Sequence, residues 1–170
     1  MGTSTVRLYS LTASQPRTWF AAAAFIAGNI VVSQLCRLIP DGGRILLLIY
    51  LFTLLGAYKY GWRVGLLTAL LSPLLDAALF GMPAAAALPA TMFRSVAAAL
   101  AASCAALHTG RITLRTMAAV VAGYQVAGAL FEWCWSGSPA AAVGDLRTGA
   151  AGMVLQAVGV WAAIRYIFRN

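Results

Sequence analysis

The sequence predicts an all-α integral membrane protein, a bundle of six transmembrane helices with both termini in the cytoplasm. Three observations predict it. Of 170 residues, 62% are hydrophobic and only 9% charged, where a soluble domain carries about 25% charged residues. Too little polar material is present to coat a globule of this size, and mean hydropathy is +0.84. Apolar stretches recur along the whole chain, divided by short connections holding Gly, Pro and basic residues. The net charge of +8, from 12 Lys and Arg against 4 Asp and Glu, is spread singly or in pairs between those stretches. That is the pattern of topology determinants rather than of a nucleic-acid surface.

Residues 1–170 read as a single membrane domain with helices at about 19–36, 45–59, 64–80, 84–107, 116–135 and 146–168. The first, "WFAAAAFIAGNIVVSQLC", ends at "RLIPDGGR", where Pro40, Gly42 and Gly43 break it. The preceding "MGTSTVRLYSLTASQPRTW" lacks the apolar core and cleavage site of a signal peptide, so the first helix is expected to be retained. The second, "ILLLIYLFTLLGAY", is short for a bilayer core of about 30 Å at about 1.5 Å per residue. The third, "VGLLTALLSPLLDAALF", ends at "GMP". The fourth carries Arg94 inside "LPATMFRSVAAAL". The fifth is followed by "SGSPAAAVGD", and the sixth runs to the basic end of the chain.

Orientation follows from the basic residues. With the N-terminus inside, Arg7, Arg17, Lys59, Arg63, Arg111, Arg115, Arg165 and Arg169 lie on the cytoplasmic side. Arg37, Arg44 and Arg147 lie outside, and Arg94 falls within a helix. The excess inside favours cytoplasmic termini. All five tryptophans fall near predicted helix ends, where amphipathic rings prefer to sit.

Depth then follows for the polar residues. Asn29, Ser33 and Arg37 repeat every four residues on the outer half of the first helix, with Gln34 beside them. Thr68, Ser72 and Asp76 repeat the same spacing on the third. Such spacing marks one helix face. On the fifth helix Gln125, Gly128 and Glu132 share a face, near Tyr124 and Trp133, and Gln156 stands on a glycine-rich face of the sixth. A charge at mid-bilayer costs at least about 2.5 kcal/mol, so it faces a partner or a wet cavity. The arrangement this suggests is a pocket open to the outside, with Arg94 at its floor and Asp76 and Glu132 on its walls. A plainer alternative is that Asp76 and Arg94 pair and tie the third and fourth helices together. Trp133 and Trp135 fit an interfacial belt as well as a stacking platform.

No catalytic constellation is present: HExxH, GxSxG and the phosphate-binding GxxxxGK[ST] are all missing. His108 reads as a solvated residue at a helix end. Cys36, Cys104 and Cys134 lack metal-ligand spacing and read as small packing residues. The chain is expected to be no enzyme, to hold no metal or cofactor, and to bind no nucleic acid.

The stretch from Tyr50 to Phe93 adds a resemblance. Its aromatic helix, the "GAYKYGWRVGLL" that follows and the "LFGMP" turn resemble the substrate-binding S components of energy-coupling-factor (ECF) transporters, and six helices in a chain this small extend the likeness. The resemblance implies a substrate-binding subunit of an ABC-type importer in the cytoplasmic membrane of a prokaryote. Such a subunit captures a vitamin or related micronutrient from outside. It delivers its cargo through a membrane coupling protein and ATPase subunits on other chains, by toppling in the bilayer. In that family an AxxxA motif on the first helix makes the docking surface, and Ala23 and Ala27 supply that spacing here. The ligand pocket is then expected from Arg94, Asp76, Glu132, Asn29, Gln34, Gln125 and Gln156, with Tyr124 and Trp133 to stack on a flat ring. The rival expectation is a structural or assembly subunit of a membrane complex, its buried charges acting as helix-pairing glue.

Overall fold

The structure is a computed structural model that describes residues 4–5, 15–38, 50–138, 144, 147 and 149–167. Its helices are α1 (Pro16–Arg37), α2 (Leu51–Tyr60), α3 (Trp62–Phe80), α4 (Leu88–Thr109), α5 (Leu114–Ser136) and α6 (Ala150–Ala162), the last continuing into a π-helical turn, Ala163–Ile167. A two-residue antiparallel pairing joins Ser4–Thr5 to Arg111–Ile112. The breakers Pro40, Gly42 and Gly43, the start of the second predicted helix and the last residue of the sixth lie outside the described residues.

α1, α3, α4 and α5 are each long and apolar enough to cross a membrane, which marks a multi-pass α-helical membrane protein. Large apolar side chains point outward along them. On α3 alone, Leu70, Leu71, Leu74, Leu75 and Leu79 are exposed, an apolar surface of the kind that faces lipid or another apolar partner.

Local chemistry sets the helix ends. Pro16 and Pro89 sit in the first turns of α1 and α4, where a missing N–H costs nothing and the fixed φ suits the helix. Because Pro89 takes that position, α4 begins at Leu88 rather than at Ala84. Thr113 caps α5, its hydroxyl accepting from the Thr116 N–H at 3.1 Å. α2 and α3 are joined by Gly61 alone, at φ 95°, a conformation that favours glycine.

α2 is the hub. It packs on α1, α3, α4 and α6, while α3 links α1 to α4 and α5 links α4 to α6. Small residues let these helices approach closely. A Cβ on Gly65 of α3 would lie 2.8 Å from the Ala57 Cα of α2 and 3.3 Å from the Ala99 Cβ of α4. Gly28 of α1 lies under the Phe52 ring, which a Cβ there would meet at 3.0 Å. α4 turns Ala98, Ala99, Ala102 and Ala106 inward, all buried.

The ten residues of α2 rise only about 15 Å. Their start lies level with Asn29 of α1, whose Oδ1 accepts from the Phe52 N–H at 3.2 Å. Their end lies level with the end of α4, where Tyr58 and Thr109 hydroxyls meet at 3.3 Å. α2 thus fills one half of the bundle, here called the lower half, which also holds the starts of α1, α3 and α5.

Candidate functional site

Apart from Thr18, Lys59 and Ser103 in the lower half, most buried polar residues gather around and above the start of α2, in two groups. The first is a ladder between α1 and α3, which run parallel. Asn29 donates through Nδ2 to Thr53 Oγ1 at 2.9 Å and to Ser72 Oγ at 3.2 Å. One turn up, Ser33 Oγ donates to Asp76 Oδ2 at 2.6 Å, and Gln34 Nε2 donates to Asp76 Oδ1 at 2.9 Å. At the next turn Arg37 Nη2 reaches the same Oδ2 at 3.2 Å and the Met82 carbonyl at 3.4 Å. Arg37 Nη1 donates to Gln34 Oε1 at 3.3 Å, and its guanidinium lies 5.8 Å from the centre of the Phe80 ring. Asp76, with a side chain 2% exposed, is therefore closed in by three donors from α1. This geometry follows from register: both helices repeat polar residues every four positions, so each turn of one meets a turn of the other. Thr68, lowest on the α3 stripe, donates instead to its own Val64 carbonyl at 2.9 Å.

The second group lies between α4, α5 and α6. Arg94 pairs through Nη2 with the Glu132 carboxylate. Its side chain crosses α5 at Gly128, where a Cβ would fall 2.8 Å from Nε and 3.0 Å from Cδ. Glycine at this position is what lets Arg94 reach Glu132, one helical turn further on. The pair is only partly shielded, with side chains 12% and 22% exposed. Below it the buried Tyr124 hydroxyl donates to the Oε1 of the buried Gln156. Tyr50, at the start of α2, meets the Tyr124 ring edge-on at 5.7 Å between centroids. The start of α2 thus touches both groups, the ladder through Phe52 and Thr53 and the second group through Tyr50.

The structure brings Asn29, Gln34 and Asp76 into the ladder, and Arg94 with Glu132 and Tyr124 with Gln156 into the second group. Arg94 has Glu132 as its partner and Asp76 has Arg37. The Asp76–Arg94 tie expected as an alternative does not form, because α1 supplies the nearer donors. Gln125 is buried on α5. Trp133 is 49% exposed and stands apart from Tyr124, which is 1% exposed, so the two do not face one ring site. Ala23 and Ala27 lie exposed on α1.

Sequence reasoning missed a three-ring stack. Phe93 of α4 and Phe131 of α5 lie face to face at 4.3 Å, and Phe131 stacks on Trp135 at 6.0 Å. The available signal was the i, i+4 spacing of Phe131 and Trp135 beside a phenylalanine that adjoins Arg94. It also missed Thr53, a lone hydroxyl in "YLFTLLGAY", and Tyr50. Among the described residues no group of His, Cys, Asp and Glu is placed to hold a metal ion.

What this arrangement can do chemically is bind. It offers a partly exposed cation and carboxylate, amides and hydroxyls beneath them, and aromatic rings alongside. No protein-family model, curated protein or solved structure matches the chain.

Proposed function

We propose that this protein is the substrate-binding membrane subunit of an ECF-type importer. On this reading all six helices span the cytoplasmic membrane of a prokaryote and both termini face the cytoplasm. The polar half of the bundle then faces outward and captures a vitamin-like micronutrient. A membrane coupling protein and ATPase subunits on other chains supply the energy, and Ala23 and Ala27 lie on the docking face. The observation that carries the reading is the second polar group. Arg94 and Glu132 are buried enough to be costly in a membrane and open enough to meet a solute. Pockets that take small molecules combine an apolar lining with a few convergent polar groups of this kind. The resemblance of "GAYKYGWRVGLL" gains physical sense from Gly61 and Gly65, which respectively turn the chain and let α3 touch α2.

The rival is a structural subunit whose charges hold helices together. One observation favours it: each of the two described acids is engaged by an arginine of the same chain. The test is mass spectrometry of small molecules released from the purified full-length chain, followed by thermal melts with those compounds and a vitamin panel. The importer reading expects one compound to co-purify and to raise Tm, and Arg94→Ala to abolish that rise. No released compound and no shift across the panel would reject it for the structural subunit.

A further inference from the structure

Apart from the polar groups, α5 and α6 enclose a cavity of about 250 Å³ in the lower half of the bundle, lined by apolar side chains alone. Leu114, Ala118 and Ala122 form the α5 wall, and Val154 and Val158 stand among those opposite. Several of these side chains are surface residues: Leu114 is 44% exposed, Val154 65% and Val158 42%. The cavity is therefore a groove facing the membrane side of the bundle.

Both walls run into an arginine at the same end. Arg115 is exposed and lies three residues before Ala118 and seven before Ala122, on one helix face. Arg165 lies seven residues beyond Val158, in the π-helical turn that continues α6. The π-helical turn that carries Arg165 packs on α2, the helix confined to the lower half, so α6 ends where α5 begins. Arg165 leans back over the Trp161 ring at 5.1 Å and lies 5.7 Å from the Tyr166 ring. The described acids, Asp76 and Glu132, are bound to Arg37 and Arg94 in the upper half. The groove mouth is thus cationic, and its charge complement is not supplied by them.

We infer that this groove binds one anionic phospholipid, with an acyl chain between α5 and α6 and the phosphate at Arg115 and Arg165. The occupant is an amphiphile because the site is one: a chain-shaped apolar slot ending in two cations. A neutral lipid would fill the slot and leave the arginines without a counter-ion. Inorganic phosphate would meet the arginines and leave the slot empty.

Native mass spectrometry of the full-length chain in detergent tests this, with phosphatidylglycerol, phosphatidylcholine of identical acyl chains, and inorganic phosphate as probes. Phosphatidylglycerol is expected to be retained at least fivefold over phosphatidylcholine, to raise Tm, and to be unmatched by phosphate. Arg115→Gln with Arg165→Gln should erase the preference between the two lipids. Ala118→Phe or Val154→Trp, at exposed positions where bulk does not disturb the core, should cut retention of both lipids severalfold. Equal retention of the two lipids by the unaltered chain overturns the proposal. So does retention unchanged by both groove-filling variants.

Discussion

The α1–α3 ladder and the Arg94–Glu132 pair use the same chemistry, an arginine and a carboxylate on neighbouring helices, yet they are built to different ends. Asp76 is sealed, receiving three donors from α1 at 2.6 to 3.2 Å. Arg94 instead threads past a glycine to reach a carboxylate with a side chain 22% exposed. In a membrane a fully bonded carboxylate is a fastener. A pair left part-open can exchange its partner for a solute, since the cost of opening it is met by water and ligand rather than by hydrocarbon. On the proposed importer reading, the difference separates what holds the bundle together from what would receive a solute.

The sharpest way to break that distinction is at Asp76. Asp76→Ala leaves Ser33 and Gln34 without an acceptor and Arg37 without its counter-ion, and should cost about 3 kcal/mol of stability, read as a large fall in Tm in detergent. A fall no larger than that of Arg94→Ala would erase the contrast between the two regions. Next, Gly128→Ala places a methyl group in the path of Arg94. It should cost about 1–2 kcal/mol, as overpacking does, and abolish ligand-dependent stabilisation while the helical circular-dichroism signal persists. Intact ligand response in that variant would mean that the Arg94–Glu132 geometry is irrelevant to binding. Thr53→Val removes one acceptor of the Asn29 amide and should cost only about 0.6 kcal/mol, the average for hydrogen bonds between membrane helices. A loss several times greater would make the start of α2, rather than Asp76, the keystone of the ladder. Smallest of all, Ala23→Trp on the exposed face of α1 should leave Tm unchanged and, on the proposed importer reading, reduce transport by the chain assembled with its coupling protein and ATPases. Transport at the level of the unaltered protein would remove Ala23 from the docking face.

Periodicity made much of the ladder legible. The two four-residue stripes, Asn29–Ser33–Arg37 and Thr68–Ser72–Asp76, are visible in the sequence, and both prove to face inward. Their pairing with each other was not legible, because a stripe shows which face is polar and says nothing about which neighbour it meets. The choice between Arg37 and Arg94 as the partner of Asp76 is made by α1 and α3 packing side by side. Gly128 was visible on the face of Glu132, but its meaning depends on a side chain arriving from α4. Trp133 shows the limit of proximity in sequence. It is next to Glu132, yet the 100° step of a helix carries it to an exposed position. The helix ends followed by Gly61, Gly81, Gly110 and Gly137, all at positive φ, were readable to within about two residues, whereas the starts that Pro16 and Pro89 set were expected at 19 and 84.

The glycine at position 65 has a consequence for how α2 is held. Around it Leu54, Ala57, Val64, Ala98 and Ala102 have no exposure at all, and a Cβ on Gly65 would meet the Ala57 Cα at 2.8 Å and the Ala99 Cβ at 3.3 Å. A side chain there would have to part α3 from α2 and from α4 at once. One absent methyl group keeps three helices in register.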